Sequence, residues 1–396
     1  MNYLLRAGSI HVSRAVYALN WFVMAPSLSY ISSDLYLNVT QLGIITAGFY
    51  AGLAVFQLIG GILASRLGNA KIAIIGLSIL GGSTVITGLS PNLTIMLLSR
   101  VSAGAGAALF FSPGIGALSN IVPHEKFGTH VGIYNGAFNV GAGIGIIGWA
   151  ILDKDVGWRA ALVVSGLMAL IMAMENAGVF RGIHEEVSSA KDIPRKIVAV
   201  SRMPDIWILS IAGFSSIIAE TLIGQFFVYY GKTFVGLTTF TASLLAGVSM
   251  IVGIVGGVLA GKEIQKIPRK KLAFFSIMLT GGIVLSLIPF TRNSYLLLLI
   301  LSAEGLLVVA GFSVLYTMVS MEVADRSMVS FSLALTNTIQ LAFSVAVPVI
   351  FTFIVSVFNN NYTYAWVLSG VIAMGTSLIV SFRRSSDVFP SAPSKS

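Results

Sequence analysis

Twelve stretches of this chain are mostly apolar over about 20 residues, the length a helix needs to cross the hydrocarbon of a bilayer. They run over residues 14–32, 42–64, 71–90, 93–121, 128–151, 159–180, 206–231, 239–261, 271–290, 294–321, 328–356 and 364–382, and most connections are only a few residues long. Composition carries the same message. The chain is 56% hydrophobic and 10% charged, whereas a soluble domain carries about 25% charged residues. So little charge cannot cover a water-facing surface, and most of this surface must face lipid. The expected fold class is an all-α integral membrane protein with twelve transmembrane helices.

The net charge of +9 raises nucleic acid as a partner, but the placement of the cations argues against it. With both termini inside, nineteen of the 24 Lys and Arg residues fall in inside segments, Arg6 and Arg14 among them. Outside lie only Lys154, Arg159, Lys232 and Arg292, with Arg100 in the membrane. Such asymmetry orients a chain with an even number of spans and a cytoplasmic N-terminus. Residues 1–14 show no cleavable leader pattern. The expected location is the plasma membrane, with both termini cytoplasmic. Three Asn-x-Thr triplets, at Asn38, Asn92 and Asn361, fall on the expected outside and match the glycosylation acceptor pattern.

The longest connection, Arg181 to Pro204, is polar and divides the chain. The expected organisation is an N-terminal six-helix bundle over 1–180, a linker over 181–204, a C-terminal bundle over 205–383 and a tail over 384–396. An interfacial helix is expected near Pro194–Val200. Gly60-Gly61-Ile62-Leu63-Ala64-Ser65-Arg66 is echoed by Gly256-Gly257-Val258-Leu259-Ala260-Gly261-Lys262, an offset of 196 residues. A phrase repeated at half-length in a membrane chain points to two homologous bundles with a substrate site between them. Small residues recur every fourth position at Gly48/Gly52, Gly132/Gly136, Gly141/Gly145 and Gly253/Gly257/Gly261, a spacing that lets helix backbones approach closely in lipid. Pro26, Pro113, Pro289 and Pro348 are expected to interrupt or kink helices.

Gly61-x-Leu63-Ala64-Ser65-Arg66-x-Gly68-x-x-Lys71 resembles the signature loop of the major facilitator superfamily (MFS), between its second and third helices. Arg100-x-x-x-Gly104-x-Gly106, Gly157-Trp158-Arg159, and Asp34-Leu35 with Gln41-Leu42-Gly43 resemble further family features in the right order. The resemblance implies the MFS fold, two pseudo-symmetric six-helix bundles, and a secondary transporter rather than an enzyme. It implies that Gly61, Ser65, Arg66, Gly68 and Lys71 form a cytoplasmic gating loop. The family usually has Asp at the place of Ser65, so the usual brace of that loop is missing. Residues 141–148 also lack the Gly-Pro pair common in the family's drug/proton antiporters.

A charge inside the bilayer costs roughly 3 kcal/mol or more and usually faces protein or a water-filled cavity. Arg100, Glu175, Glu220 and Glu304 lie in apolar runs. The resemblance implies that the first, fourth, seventh and tenth helices line the central cavity, which holds three of the four. At about 1.5 Å per residue, Arg100, Glu220 and Glu304 lie at similar depth, roughly 10–15 Å from the outer ends of their helices. One electrostatic cluster is therefore expected. An arginine facing two glutamates neutralises one of them, and the other can carry a proton as water access alternates. Glu175 is expected to be interfacial or locally paired. Tyr17, Asn20, Trp21, Gln57, Asn135, Asn139, Asn337 and Gln340 are candidates to contact a solute, against hydrogen bonding between helices. The aromatic residues are otherwise read as interface markers.

No catalytic constellation and no cofactor motif is recognised. The four histidines lie in or beside inside loops, and no metal pair is expected of them. The leading reading is proton-coupled transport of a small organic solute, with an organic anion as one class. Arg100 would bind or organise it while Glu220 or Glu304 carries the proton, and sodium remains an alternative ion. A second reading is proton-driven efflux of lipophilic or cationic compounds. A third is a transport-dead sensor of this fold. A monomer is expected.

Overall fold

The computed structural model describes residues 3–181, 198–323 and 326–383. Among them the regular elements are all helical. Span 1 is built from Tyr3–Phe22 and Met24–Asp34, followed by span 2 (Val39–Leu67), span 3 (Asn69–Leu89), span 4 (Leu93–Ile121), span 5 (His124–Asp155) and span 6 (Trp158–Val179). Span 7 comprises Pro204–Ala212, Phe214–Gln225 and Phe227–Tyr230. Then come span 8 (Thr239–Glu263), span 9 (Lys270–Leu287), span 10 (Ser294–Met321), span 11 (Arg326–Ser344 and Ala346–Val357) and span 12 (Tyr362–Leu378). Eleven of these are long and apolar enough to cross a membrane. Span 1 is the remaining crossing. It begins at Tyr3 rather than at residue 14, so Arg6, His11 and Arg14 are helical. The expected interfacial helix near Pro194, and most of the expected linker and tail, lie outside the described residues.

Two of the four prolines break their helices in the same way. The breaks fall at Val23 and Val345, each three residues before a proline, Pro26 and Pro348. Proline has no N–H for the carbonyl four residues earlier, and Phe22 and Ser344 are where the preceding helices stop. Pro113 sits in an unbroken helix, and Pro289 lies in a short 3₁₀ turn after span 9. The Asn-x-Thr asparagines have a local explanation. Asn38, Asn92 and Asn361 each precede a span, and their side chains accept from backbone N–H groups of the first turn, which is helix capping.

Glycines set the closest helix crossings, and they do so twice. A Cβ at Gly52 would lie 1.9 Å from the Val101 carbonyl oxygen, and one at Gly104 1.9 Å from that of Phe49, so spans 2 and 4 touch backbone to backbone. Spans 8 and 10 repeat this at Gly256 and Gly305, with 2.1 Å to the carbonyls of Leu306 and Ser249. Gly81 meets Gly166 between spans 3 and 6, and Gly282 meets Gly370 between spans 9 and 12. The fourth-residue spacing is only partly a packing code. Gly48, Gly52, Gly141, Gly145, Gly253 and Gly257 touch neighbours, but Gly132, Gly136 and Gly261 have open space beside them.

The two halves close on the side away from Tyr3 and Arg383, here the far side. Lys232 donates to the Ser29 hydroxyl at 3.1 Å and lies 3.9 Å from the Tyr30 ring centre. Gln225 donates to the Trp21 carbonyl at 3.3 Å. Spans 5 and 8 cross where Gly143 meets Gly247.

Candidate functional site

A cavity of about 250 Å³ lies between the halves. Spans 1, 2, 4 and 5 line it from one half, and spans 7, 8, 10 and 11 from the other. Asn135, on the terminal part of span 5, lines it and is exposed, so the cavity opens toward the terminal side.

Its two charged residues are Arg14 and Glu220. Arg14 is 5% exposed. Its guanidinium carbon sits 4.4 Å from the ring centre of Tyr17, 4.5 Å from Phe138, 4.7 Å from Phe111 and 4.9 Å from Tyr134. Cation–π contact of this kind stabilises a guanidinium away from water. Its Nε and Nη1 have no hydrogen-bond partner. Glu220, on span 7, is partly buried, and Arg14 is the positive charge whose field reaches it. The phenols of Tyr17, Tyr50 and Tyr316 also sense its charge. The cavity thus carries one fixed cation from the first half and one carboxyl from the second, among aromatic walls.

The expected cluster of Arg100, Glu220 and Glu304 is not formed. Arg100 is 0% exposed and does not line the cavity. Its guanidinium lies 4.3 Å from the Phe49 ring of span 2, and Nε, Nη1 and Nη2 have no hydrogen-bond partner. Phe49 in turn meets Trp21 edge-on, with ring centres 5.1 Å apart. Arg100 therefore stands one layer behind the cavity wall. Glu304 is 1% exposed and its carboxylate faces Gly281 of span 9. Depth along a helix leaves the rotation about its axis open, so residues at similar depth can face different neighbours.

Of the polar candidates, Tyr17, Trp21, Gln57, Asn135, Asn139 and Asn337 line the cavity. Asn20 and Gln340 do not. Asn20 is buried and donates to the carbonyls of Val16 and Ser165, at 3.0 and 2.9 Å, joining spans 1 and 6. Gln340 is buried against Gly213 and accepts from the Tyr316 hydroxyl at 3.4 Å. Glu175 accepts from the Ser9 hydroxyl of span 1, a local pairing. In the loop expected to gate, Ser65 donates to the Ile62 carbonyl of its own helix at 2.8 Å, Arg66 and Lys71 are exposed, and Gly68 has φ 94°.

Sequence reasoning missed three features. Arg14 was counted as a loop cation, because the apolar run hides the polar first turns of span 1. Tyr17 one turn onward, giving a ring next to a cation at i, i+3, was the available signal. Asp153, buried near the far end of span 5, accepts from Ser27 at 2.9 and 3.1 Å, and the charge of Lys232 from the other half reaches it. His11 and His130 pair through Nε2 and Nδ1 at 2.9 Å. No cluster of three or more metal-ligating side chains occurs among the described residues.

Comparisons with known proteins converge on one family. The family model described as Major Facilitator Superfamily matches residues 10–348. A nitrite extrusion protein of Bacillus subtilis (strain 168) is 26% identical over 275 residues, 68% of this chain and 68% of that protein. The tetracenomycin C resistance and export protein of Streptomyces glaucescens is 26% identical over 169 residues, 42% of this chain. That match spans 31% of the export protein's length. Among solved structures, a D-xylose-proton symporter superposes with TM-score 0.78 at 15% identity, covering 98% of this chain and all of that one. A bacterial homologue of the human lysosomal transporter Spinster, inward-facing and occupied, gives 0.77 at 15% identity, covering 98% of each chain.

Proposed function

The chain belongs to the major facilitator superfamily and is a multi-pass membrane transporter; on that premise we propose that it moves a small organic solute by alternating access, coupled to protons, with Glu220 as the proton carrier. One observation carries this reading: a cavity between the halves receives one fixed cation, Arg14, from the first half and one carboxyl, Glu220, from the second. A site at the interface of two bundles is exposed to each side in turn as they rock. A carboxyl there can load a proton on one side and release it on the other. Arg14 takes the solute-anchoring role that the sequence suggested for Arg100, and Arg100 organises the wall through Phe49 and Trp21. The protein works in the plasma membrane as a monomer, with the terminal side cytoplasmic, the orientation that eighteen of its 24 cations favour once Arg14 is placed in the cavity.

The test is transport in proteoliposomes under an imposed pH gradient. Glu220→Gln is expected to lose gradient-driven accumulation while keeping solute exchange at equal concentrations. Accumulation that survives Glu220→Gln removes Glu220 as the carrier.

A second reading is export of lipophilic or cationic compounds, with Glu220 as the cation site. The name of the tetracenomycin C resistance and export protein and the aromatic walls favour it. Raised drug tolerance in cells, abolished by Glu220→Gln, would support it.

A further inference from the structure

Resting on the transporter reading, we propose a substrate class and a coupling rule for the cavity: the ligand is a flat aromatic monoanion held by Arg14, and its binding brings one proton to Glu220.

The anion follows from what Arg14 has and lacks. Four ring faces surround the guanidinium at 4.4–4.9 Å. The ring faces stabilise its charge, and the Tyr17 hydroxyl hydrogen-bonds with it. Nε and Nη1 are left unpartnered in a residue that is 95% buried. A guanidinium with free N–H groups attracts a carboxylate through charge-assisted hydrogen bonds. The flat apolar body follows from the walls. Trp21, Phe138, Phe312 and Tyr316 line the space, and aromatic rings prefer offset or edge-on partners. A cavity of about 250 Å³ lies just under the usual range of roughly 300–1,000 Å³ for small-ligand pockets. That size suits a compact one- or two-ring body.

The coupling rule follows from charge balance. The charged and titratable groups facing Glu220 are Arg14 and Tyr17 on span 1, Tyr50 on span 2 and Tyr316 on span 10. Only Arg14 among them is a cation. When ionised, the Glu220 carboxylate is the charge that offsets Arg14 in the cavity. When a ligand carboxylate binds Arg14, two negative charges share one positive charge in a poorly solvated space. Like charge disfavours the second ionised carboxyl, so Glu220 takes up a proton from water. Anion and proton then occupy the cavity together, and neither bond making nor redox chemistry is required.

The experiment uses the purified full-length chain in weakly buffered detergent. Benzoate and 1-naphthoate are the anionic probes. Acetate lacks the ring, and benzyltrimethylammonium carries the opposite charge. Binding is read by thermal shift, and proton exchange by a pH indicator. Wild type is expected to be stabilised by the aromatic acids, more than by acetate, with about one proton taken up per anion bound. Glu220→Gln, whose side chain is already neutral, is expected to bind the same acids with no proton uptake. Arg14→Gln is expected to lose affinity by about tenfold or more, the scale of a charge-assisted hydrogen bond.

Anion binding by wild type without proton uptake overturns the coupling rule. Unchanged uptake in Glu220→Gln does the same. Preferential binding of benzyltrimethylammonium, with proton release, overturns the anion assignment and supports the cation-export reading. If no acid stabilises the protein, the substrate class is wrong, while gradient-driven transport of another solute would keep the transporter reading intact.

Discussion

The two halves of this transporter pack alike and are charged differently. Gly52 and Gly104 bring spans 2 and 4 into backbone contact, and Gly256 and Gly305 do the same for spans 8 and 10. The Gly81–Gly166 and Gly282–Gly370 contacts form a second matching set. Charge breaks the match. Span 4 buries Arg100 four residues before Gly104, whereas span 10 buries Glu304 one residue before Gly305, and the cavity receives Arg14 from the first half and Glu220 from the second. Close packing in lipid has few solutions, because helices without a hydrophobic driving force associate through small residues. The same solution therefore serves both halves. A coupling site needs opposite charges facing each other, and a faithful repeat would place like charges there.

The largest expected effect is on the shared scaffold. Gly104→Leu and Gly305→Leu would each drive a side chain into backbone, where a Cβ alone would lie 1.9 Å from Phe49 and 2.1 Å from Ser249. Backbone on a packed helix cannot yield like a flexible side chain, so the cost exceeds the 1–3 kcal/mol or so of ordinary overpacking. Both variants are expected to give little monodisperse protein in size-exclusion chromatography. If Gly305→Leu is well behaved and Gly104→Leu is not, the packing symmetry is superficial.

Next come the ion pairs, which differ between halves in depth. Arg383 and Glu322 pair at the terminal side of the second half with side chains 0% and 2% exposed. Asp34 and Arg159 pair at the far side of the first half at 3.1 Å, both substantially exposed. Removing one partner of a buried pair costs about 3–5 kcal/mol, whereas an exposed pair contributes roughly 0–1 kcal/mol. Arg383→Ala should therefore lower the thermal midpoint far more than Asp34→Ala. Equal midpoints would show that the Arg383 pair is not held in the dry interior.

The far-side closure joins one half to the other. Lys232 reaches Ser29 and Tyr30 across the boundary and acts on the buried Asp153. Lys232→Ala removes contacts made only while the far side is closed, so it should shift the population toward far-side opening. A coupling of about 1–3 kcal/mol corresponds to a change of roughly 5–150-fold. The chain has no cysteine, so Val228→Cys, at a buried apolar position one turn before Lys232 on span 7, is a clean reporter. Its labelling by a membrane-impermeant maleimide should speed up at least several-fold in the Lys232→Ala background. Unchanged labelling would assign Lys232 no part in closure.

How much of this was legible depended on what each residue answers to. The spans and the repeat were readable because bilayer thickness fixes run length and the glycines mark crossings. Ser65 was readable as a missing brace, and the structure shows its hydroxyl turned back to Ile62. Arg100 and Glu304 were readable as buried charges, but not as residues facing Phe49 and Gly281. Successive residues turn by about 100° around a helix, so an error in facing moves a side chain from cavity to neighbour without changing its depth. Arg14 was lost for a different reason. Its helix begins at Tyr3 with polar residues, and hydropathy places the membrane edge after them.

The smallest effect returns to the symmetry at its most local. Asn92 caps span 4 by accepting from the Ile95 N–H at 3.0 Å, and Asn293 caps span 10 by accepting from Tyr295 and Leu296 at 2.9 and 3.2 Å. Losing such a cap leaves a first-turn N–H without its side-chain partner, at a cost of about 0.5–2 kcal/mol. Asn92→Ala and Asn293→Ala should therefore lower the midpoint by similar small amounts. Asn92→Ser and Asn293→Ser, which keep a capping oxygen, should restore most of the loss. Asn92 belongs to an Asn-x-Thr triplet and Asn293 to Asn-Ser-Tyr. A fall confined to Asn92→Ala and not rescued by serine would therefore mean that this asparagine serves something other than the helix it precedes.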